Sequence, residues 1–321
     1  MINIFALDSE KKRLFQTYLE LESGQNKNGN LIWIDVVDPV EEDITHIKNV
    51  FNITLPDTET LGDLEASARF FEQDNHLHLR TDFLIDEDKV RNIRVAFILM
   101  DNILFSIHKE DLPVFRLVRM RAHNRPGSVN NAKDVLLDLY STDIEHSADA
   151  IEEIYNRLEN IGQTMLQPKL TDTDAADVLH KIAYEEDINR RVRSNIMDTR
   201  RALSFLMRNK LLDEGQQQET LQILRDIDSI ENHTLYLFDK LNFIIDATVG
   251  FVNINQNKIT KIFSVVSVAL MPPTLVASIY GMNFQLPEFS WGTWGYVFVL
   301  LYMLLSALLP MLFFKRKGWL Q

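Results

Sequence analysis

The sequence contains no cysteine, which excludes disulfides and thiolate metal sites and suits a reducing compartment. It also lacks the motifs of common enzyme sites. The stretch from Gly24 to Asn30 has the glycines of a phosphate-binding loop but not its lysine. No His-Glu-x-x-His or serine-centred elbow occurs, and His76 and His78 share one strand face without a third ligand. The chain is therefore not expected to be an enzyme. Its start, "MINIFALDSEKKR", has no basic segment followed by an apolar core, so no signal peptide is predicted.

Charge is the scarcest commodity near the C-terminus. Residues 262 to 314 hold one charged side chain, Glu288, and Lys315, Arg316 and Lys317 follow at once. With three bases and one acid, residues 262 to 321 carry +2, which leaves −15 of the net −13 for residues 1 to 261. So acidic a body repels nucleic-acid phosphates and attracts cations, so nucleic acid is not an expected partner.

Ile262 to Tyr280 gives 19 uncharged residues and Trp291 to Phe314 gives 24. Each meets the roughly 20 residues needed to cross about 30 Å of hydrocarbon, so the lipid bilayer is an expected partner. Trp291, Trp294 and Tyr296 mark an interface. Lys258 and Lys261 precede the first span, Lys315 to Lys317 follow the second, and the loop between has neither Lys nor Arg. By the positive-inside rule both termini are cytoplasmic in a multi-pass plasma (inner) membrane protein, and the loop 281–290 is external.

The first 125 residues read as an α/β domain. "NLIWIDVVDP" reads as a strand closed by Asp38-Pro39, with a helix to about Phe51. "HLHLRTDFLI", "IRVAFILM" and "ILFSIH" are strand-like, the last two joined by a tight turn at Asp101-Asn102. From Val135, apolar residues recur every three or four positions to Met165. Thr171 or Asp172 can cap a second helix to about Leu212, giving an antiparallel helical pair over 126–216. After Gly215 no proline occurs until Pro272. This predicts a stalk helix over 217–261 that runs on into the first span, 262–280, roughly 80 Å from Gln218 to Pro272. The second span is 291–314 and the basic tail 315–321.

Asn257, Thr260, Ser264, Ser267, Met271, Thr274, Ser278 and Gly281 alternate in spacings of three and four, so they share one helix face. Small polar residues at such spacing also make packing seams between membrane helices. A water-filled path is favoured because the stripe continues to Asn283, the second span has no matching face, and Pro272-Pro273 frees backbone carbonyls near Val268 and Ala269. One stripe per chain cannot surround a pore, so a homo-oligomer is required. The span ends in "YGMNF" with no charge. Gly281 allows a left-handed or otherwise tight turn, and Asn283 offers neutral oxygens to the water shell of an ion that dehydrates reluctantly.

"MPPTLVASIYGMNF", a second span close behind and the terminal "FKRKGWL" resemble the CorA family of magnesium transporters. The resemblance extends through "EASARFF" at 65–71, "LPVFRLVRMRA" at 112–122 and "NQNKITKIFSVVSV" at 255–268. It implies an α+β cytosolic domain with long helices and two C-terminal transmembrane helices, assembled as a funnel-shaped homopentamer. It further implies Mg²⁺ uptake, with Co²⁺ and Ni²⁺ as lesser substrates. The family's filter falls on Gly281, Met282 and Asn283, and its pore-lining positions on Asn257, Met271, Thr274 and Ser278. Its constriction falls near Phe263 and Met271, whereas the stripe favours Ser264 over Phe263. Its basic ring falls on Lys315, Arg316 and Lys317. Regulatory Mg²⁺ in the family binds between neighbouring cytosolic domains. Asp63 in "LGDLE" falls on one ligand position, with Asp226 on the stalk as its partner and Asp228 behind it. The loop departs from the family pattern: Leu286-Pro287-Glu288-Phe289-Ser290 is one residue shorter and lacks a basic residue, while Glu288 is kept. A zinc-selective relative of the same family and a membrane-anchored divalent-cation sensor are the alternatives.

Overall fold

Alternation of β-branched and aromatic residues builds a seven-stranded mixed sheet, in the order β2-β1-β3-β7-β6-β5-β4. The computed structural model describes residues 1–8, 10–17, 30–55, 69–74, 76–86, 89–165, 171–283 and 290–319. The strands are β1 (Ile2–Leu7), β2 (Leu14–Thr17), β3 (Asn30–Val37), β4 (Phe70–Gln73), β5 (His76–Ile85), β6 (Arg91–Met100) and β7 (Ile103–His108). Neighbours are antiparallel except β3 and β7, which run parallel. Met100 pairs with Ile103, so Asp101-Asn102 is the two-residue turn the sequence predicts, and Asp101 takes the positive φ of 49° that such a turn needs.

The period of two sorts β3 and β7 onto two faces. Ile34, Val36, Phe105 and Ile107 join Ile47 of α1 (Glu41–Phe51) in one core. The opposite face stacks Trp33, Phe83 and Phe97 against Phe115 of α2 (Pro113–Asn124) and Tyr140 of α3 (Ala132–Met165). Asp35 lies buried on that face and accepts hydrogen bonds from Ser106 Oγ at 2.7 Å and Arg119 Nη1 at 3.0 Å, with His108 Nε2 at 2.8 Å.

A second long helix, α4 (Asp172–Arg208), is capped by Thr171: Asp174 N–H donates to Thr171 Oγ1 at 3.2 Å and Thr171 N–H to Asp174 Oδ2 at 2.9 Å. It stops four residues before the predicted Leu212, because Lys210 adopts a left-handed φ of 54° and Leu211 N–H reaches back to Leu206 O. Asp213 caps α5 (Glu214–Tyr280), with Gln216 N–H on its Oδ1 at 2.8 Å. Gly215 therefore lies inside that helix.

The chain forms two compact units, Met1–Leu166 with Val178–Phe243 and Gln167–Asp177 with Ile244–Gln321. In the first unit α5 buries Thr220, Ile223, Ile227, Ile230, Thr234, Leu237 and Leu241, a strict 3-4 alternation that packs on neighbouring helices as coiled-coil seams do. There Asn189 Nδ2 of α4 donates to the Thr234 carbonyl at 2.9 Å. In the second unit the end of α5 is joined by α6 (Thr293–Arg316). Both helices are long and apolar enough to cross a membrane. Gly292 begins α6 with φ 57° and ψ −133°, a conformation reserved for glycine.

Candidate functional site

The helix α5 continues unbroken through Pro272 and Pro273 to Tyr280. Within the apolar segment its buried side chains are Val265, Ala269 and Val276, with Pro272, Pro273 and Tyr280 half-buried. The face of α6 turned inward runs through Gly295, Val299, Met303, Ser306, Ala307 and Pro310. At about 100° per residue, Ser267, Met271, Thr274 and Ser278 lie roughly opposite the Val265–Ala269–Val276 seam. Every stripe residue from Asn257 to Gly281 is exposed. Within one chain, then, the polar stripe is not the seam between the two apolar helices.

An open groove of about 700 Å³ runs along that face, lined by Ser267, Leu270, Met271, Pro272, Thr274, Leu275 and Ser278. Thr274 Oγ1 donates to the Leu270 carbonyl at 2.7 Å. Its proton is thereby committed, and the hydroxyl offers only lone pairs to anything in the groove. Phe263 and Ser264 are both exposed. By the same 100° rule they lie about 50° to either side of the stripe's centre, so both border the polar face.

Gly281 N–H donates to the Ala277 carbonyl at 2.9 Å and Met282 N–H to Ile279 O at 3.2 Å. Gly281 is not among the residues with positive φ, so the turn is tight and not left-handed. A Cβ there would lie 3.2 Å from the Ala277 carbonyl oxygen, a close contact with backbone. Asn283 is exposed, and among the described residues its amide has no partner. Glu288 lies outside the described residues. Lys315 and Arg316 close α6, and Lys317 extends its ammonium over the Phe313 ring at 5.2 Å.

The stalk carboxylates separate. Asp226 is exposed in a groove of about 270 Å³ between α3 and α5, beside Ser141, Glu145 and Ser229. Asp228, on another side of the helix, is held by Arg200 of α4. Nearer the start of α5, burial first and then the charges of Asp134 and Asp138 raise the Glu219 carboxyl above its ordinary range. Asp63 lies outside the described residues. Among the described residues no group of three or more His, Asp or Glu side chains is placed to hold a metal ion.

Sequence reading missed the buried polar networks. Asp35 left one signal, a lone acid in the apolar run "NLIWIDVV". The Arg69–Asp198 pair at 2.7 Å, with Asp82 beside it, left none, because its members are far apart in the chain.

Comparison with known proteins agrees with this architecture. The family model described as "CorA-like Mg2+ transporter protein" matches residues 28–316. The "Magnesium transport protein CorA" of Escherichia coli strain K12 is 44% identical over 323 residues, covering 100% of both chains. The protein of the same name from Salmonella typhimurium is equally similar, 44% over 323 residues with full coverage of both. Among solved structures, the complete CorA magnesium transporter of Methanocaldococcus jannaschii superposes with a TM-score of 0.81 at 20% identity, covering 99% of each chain; at that identity the likeness concerns the fold. With a family model spanning most of its length and full-length relatives at this identity, the chain belongs to the family of CorA-like Mg²⁺ transporter proteins.

Proposed function

We propose that the protein carries Mg²⁺ into the cell through a pore lined by α5 from several copies of the chain, five in the assembly the family resemblance implies. The observation that carries this reading is the exposed polar face of α5, set opposite the side that packs on α6. A symmetry axis beside that face would enclose the groove between like helices. The names of the full-length relatives supply the ion.

The chemistry suits a hydrated cation. Mg²⁺ holds its water tightly, so its first partners accept hydrogen bonds from that shell. A ring of Asn283 amide oxygens at the mouth does this without the deep well of a carboxylate ring. Further in, Ser278 and Thr274 add hydroxyl oxygens, and Thr274, with its proton engaged by Leu270, can only accept. Met271 and Phe263 or its neighbour Ser264 narrow the path, Ser267 keeps it polar between them, Thr260 keeps it polar below them, and Asn257 forms the inner end. Carbonyls of Val268 and Ala269, released by the two prolines, add further dipoles. Lys315, Arg316 and Lys317 form a basic ring at the cytosolic surface, and Glu288 concentrates cations at the outer mouth.

With both termini in the cytosol and residues 281–290 outside the plasma (inner) membrane, inward movement of a divalent cation gains roughly 4.6 kcal/mol per 100 mV. That is driving force enough without nucleotide hydrolysis. Co²⁺ and Ni²⁺ follow the same path as lesser substrates. Intracellular Mg²⁺ closes the pore by binding Asp63 of one subunit and Asp226 of the next; Asp228 is the weaker second partner because Arg200 engages it.

Expression in a cell deficient in magnesium uptake tests the reading. Growth should be restored in low Mg²⁺. Failure of a protein that reaches the membrane would leave the sensor reading, and rescue of zinc but not magnesium accumulation would mark a zinc-selective relative.

A further inference from the structure

Asp143 of α3 is fully buried. Its Oδ1 accepts the Leu84 N–H of β5 at 3.1 Å, and its Oδ2 accepts Asn195 Nδ2 of α4 at 2.8 Å. Asn195 Nδ2 also donates to Ser147 Oγ at 3.2 Å, while Asn195 Oδ1 is buried without a partner. Every bond to the Asp143 carboxylate therefore comes from a neutral donor.

The charges packed around it are committed elsewhere. On β5, Asp82 is held by Arg94 of β6 at 2.7 Å and approached by Arg69 at 3.9 Å. On α4, Asp198 is bound by Arg69 at 2.7 Å and approached by Arg201 at 3.3 Å. Tyr140, on α3 itself, stays un-ionised because burial raises its phenol, and its hydroxyl lies 3.4 Å from Thr81 Oγ1. Among the described residues Asp143 has no cationic partner. An uncompensated buried carboxylate is expensive, and a proton relieves it.

We propose that Asp143 and Asn195 form a proton-operated latch that fastens α4 to α3 and to the sheet. In the ionised state the amide nitrogen faces Asp143, as observed, and Asn195 Oδ1 goes unused. On acidification a solvent proton adds to Asp143 Oδ2. The Asn195 amide then turns by 180°, and its carbonyl oxygen accepts the new O–H together with a hydrogen bond from the Ser147 hydroxyl. No net charge remains buried. Burial, the largest influence, lifts the Asp143 carboxyl to about 7, with Asp82 adding and the Leu84 and Asn195 bonds opposing. The latch therefore changes state near neutral pH. Its far end matters because α4 also grips α5, through Asn189 on the Thr234 carbonyl and Arg200 on Asp228. Proton occupancy thus biases the hold on the helix that carries the polar stripe.

The sign follows from linkage. A carboxyl raised from 3.8 to about 7 stabilises the fold fully below 3.8, and that contribution is lost as pH rises to about 7. Asp143→Asn mimics the protonated acid and cannot ionise. Thermal unfolding of the full-length protein in detergent, compared with Asp143→Asn, is the test. The midpoint difference, variant minus wild type, should grow in the variant's favour between pH 4 and 7 by roughly 5 °C or more, then level off. A difference that is flat with pH, or grows towards acid, overturns the latch. Should the variant fail to assemble, infrared spectra of wild-type protein carrying ¹³C-labelled aspartate decide. A protonated aspartic-acid carbonyl band should persist to near pH 7 and shift in Asn195→Ala; its absence above pH 5.5, or indifference to Asn195, overturns the proposal. Neither measurement depends on ion transport, so a failure here leaves the transport reading standing.

Discussion

Thr274 gives its hydroxyl proton to the Leu270 carbonyl at 2.7 Å, one turn back along the same helix. The bond fixes the rotamer and leaves lone pairs towards the groove, which donors of a cation's water shell can use and an anion cannot. Thr274→Ser should preserve Mg²⁺ uptake within about twofold. Thr274→Val keeps the shape but removes the acceptor, and uptake should fall about tenfold, the order expected if the barrier rises by about one hydrogen bond of ~1 kcal/mol. Radiometric or fluorescent Mg²⁺ uptake at matched expression checks both variants.

The absence of cysteine makes single-cysteine scanning unambiguous. Cysteines replacing Asn257, Thr274 and Ser278 should react with a small hydrophilic thiol reagent, while those replacing Val276 and Ile279 should not. A cysteine at Ser290 should be labelled in intact cells by a membrane-impermeant reagent. Equal labelling of both helix faces would remove the pore assignment, and silence at Ser290 would reverse the topology.

Asp226 and Asp228, two residues apart, should behave differently. Asp226→Ala and Asp63→Ala should each weaken the protection from proteolysis that Mg²⁺ confers, because each removes a hard oxygen ligand. Asp228→Ala breaks an exposed pair with Arg200, worth at most about 1 kcal/mol, and should leave Mg²⁺ protection largely intact. The reverse ranking would assign the ligand to Asp228.

Asp35 is expected to govern folding and not transport. Asp35→Ala takes the shared buried acceptor from Arg119, Ser106 and His108, although Arg119 keeps its second bond to Asp111 at 2.9 Å. Breaking such a buried pair costs roughly 3–5 kcal/mol. Denaturant unfolding should show that loss, while whatever protein still assembles should transport normally per molecule.

Much of this was readable from residue order because the signals were local. The two apolar helices announce themselves by the missing charges of 262–314, and β5, β6 and β7 by alternation. The stripe on α5 was legible because seven of its eight spacings to Gly281 and beyond repeat a simple period on one helix. β1, β2 and β4 were missed; Ile2–Leu7 and Leu14–Thr17 gain their strand character from pairing with each other and with β3. The end of α4 was overrun because Lys210 adopts a left-handed conformation that nothing in a lysine foretells. Pro272-Pro273 did not stop α5, since the amides they lack leave only two carbonyls to satisfy and Thr274 resumes the pattern. Buried Asp35 shows locally only as a lone acid in an apolar run, and its partners, up to 84 residues away, like those of Asp143, lie beyond any local reading. Of the two turns the sequence allows at Gly281, left-handed or otherwise tight, the structure uses the tight one, against the Ala277 carbonyl.

The central claim is that an electrical gradient drives hydrated Mg²⁺ past a ring of Asn283 amides. Its most direct test is Mg²⁺ entry into liposomes containing the purified full-length protein, with an imposed inside-negative potential. Wild-type protein should admit Mg²⁺, stop when the potential is collapsed, and be blocked from outside by an inert hexa-ammine cation of the size of hydrated Mg²⁺. Asn283→Ala should assemble normally yet abolish entry, although it removes no charge, and Asn283→Asp should bind cations but conduct poorly or lose selectivity. Undiminished, potential-driven Mg²⁺ entry through correctly assembled Asn283→Ala would contradict the account and reduce Gly281-Met282-Asn283 to a helix stop.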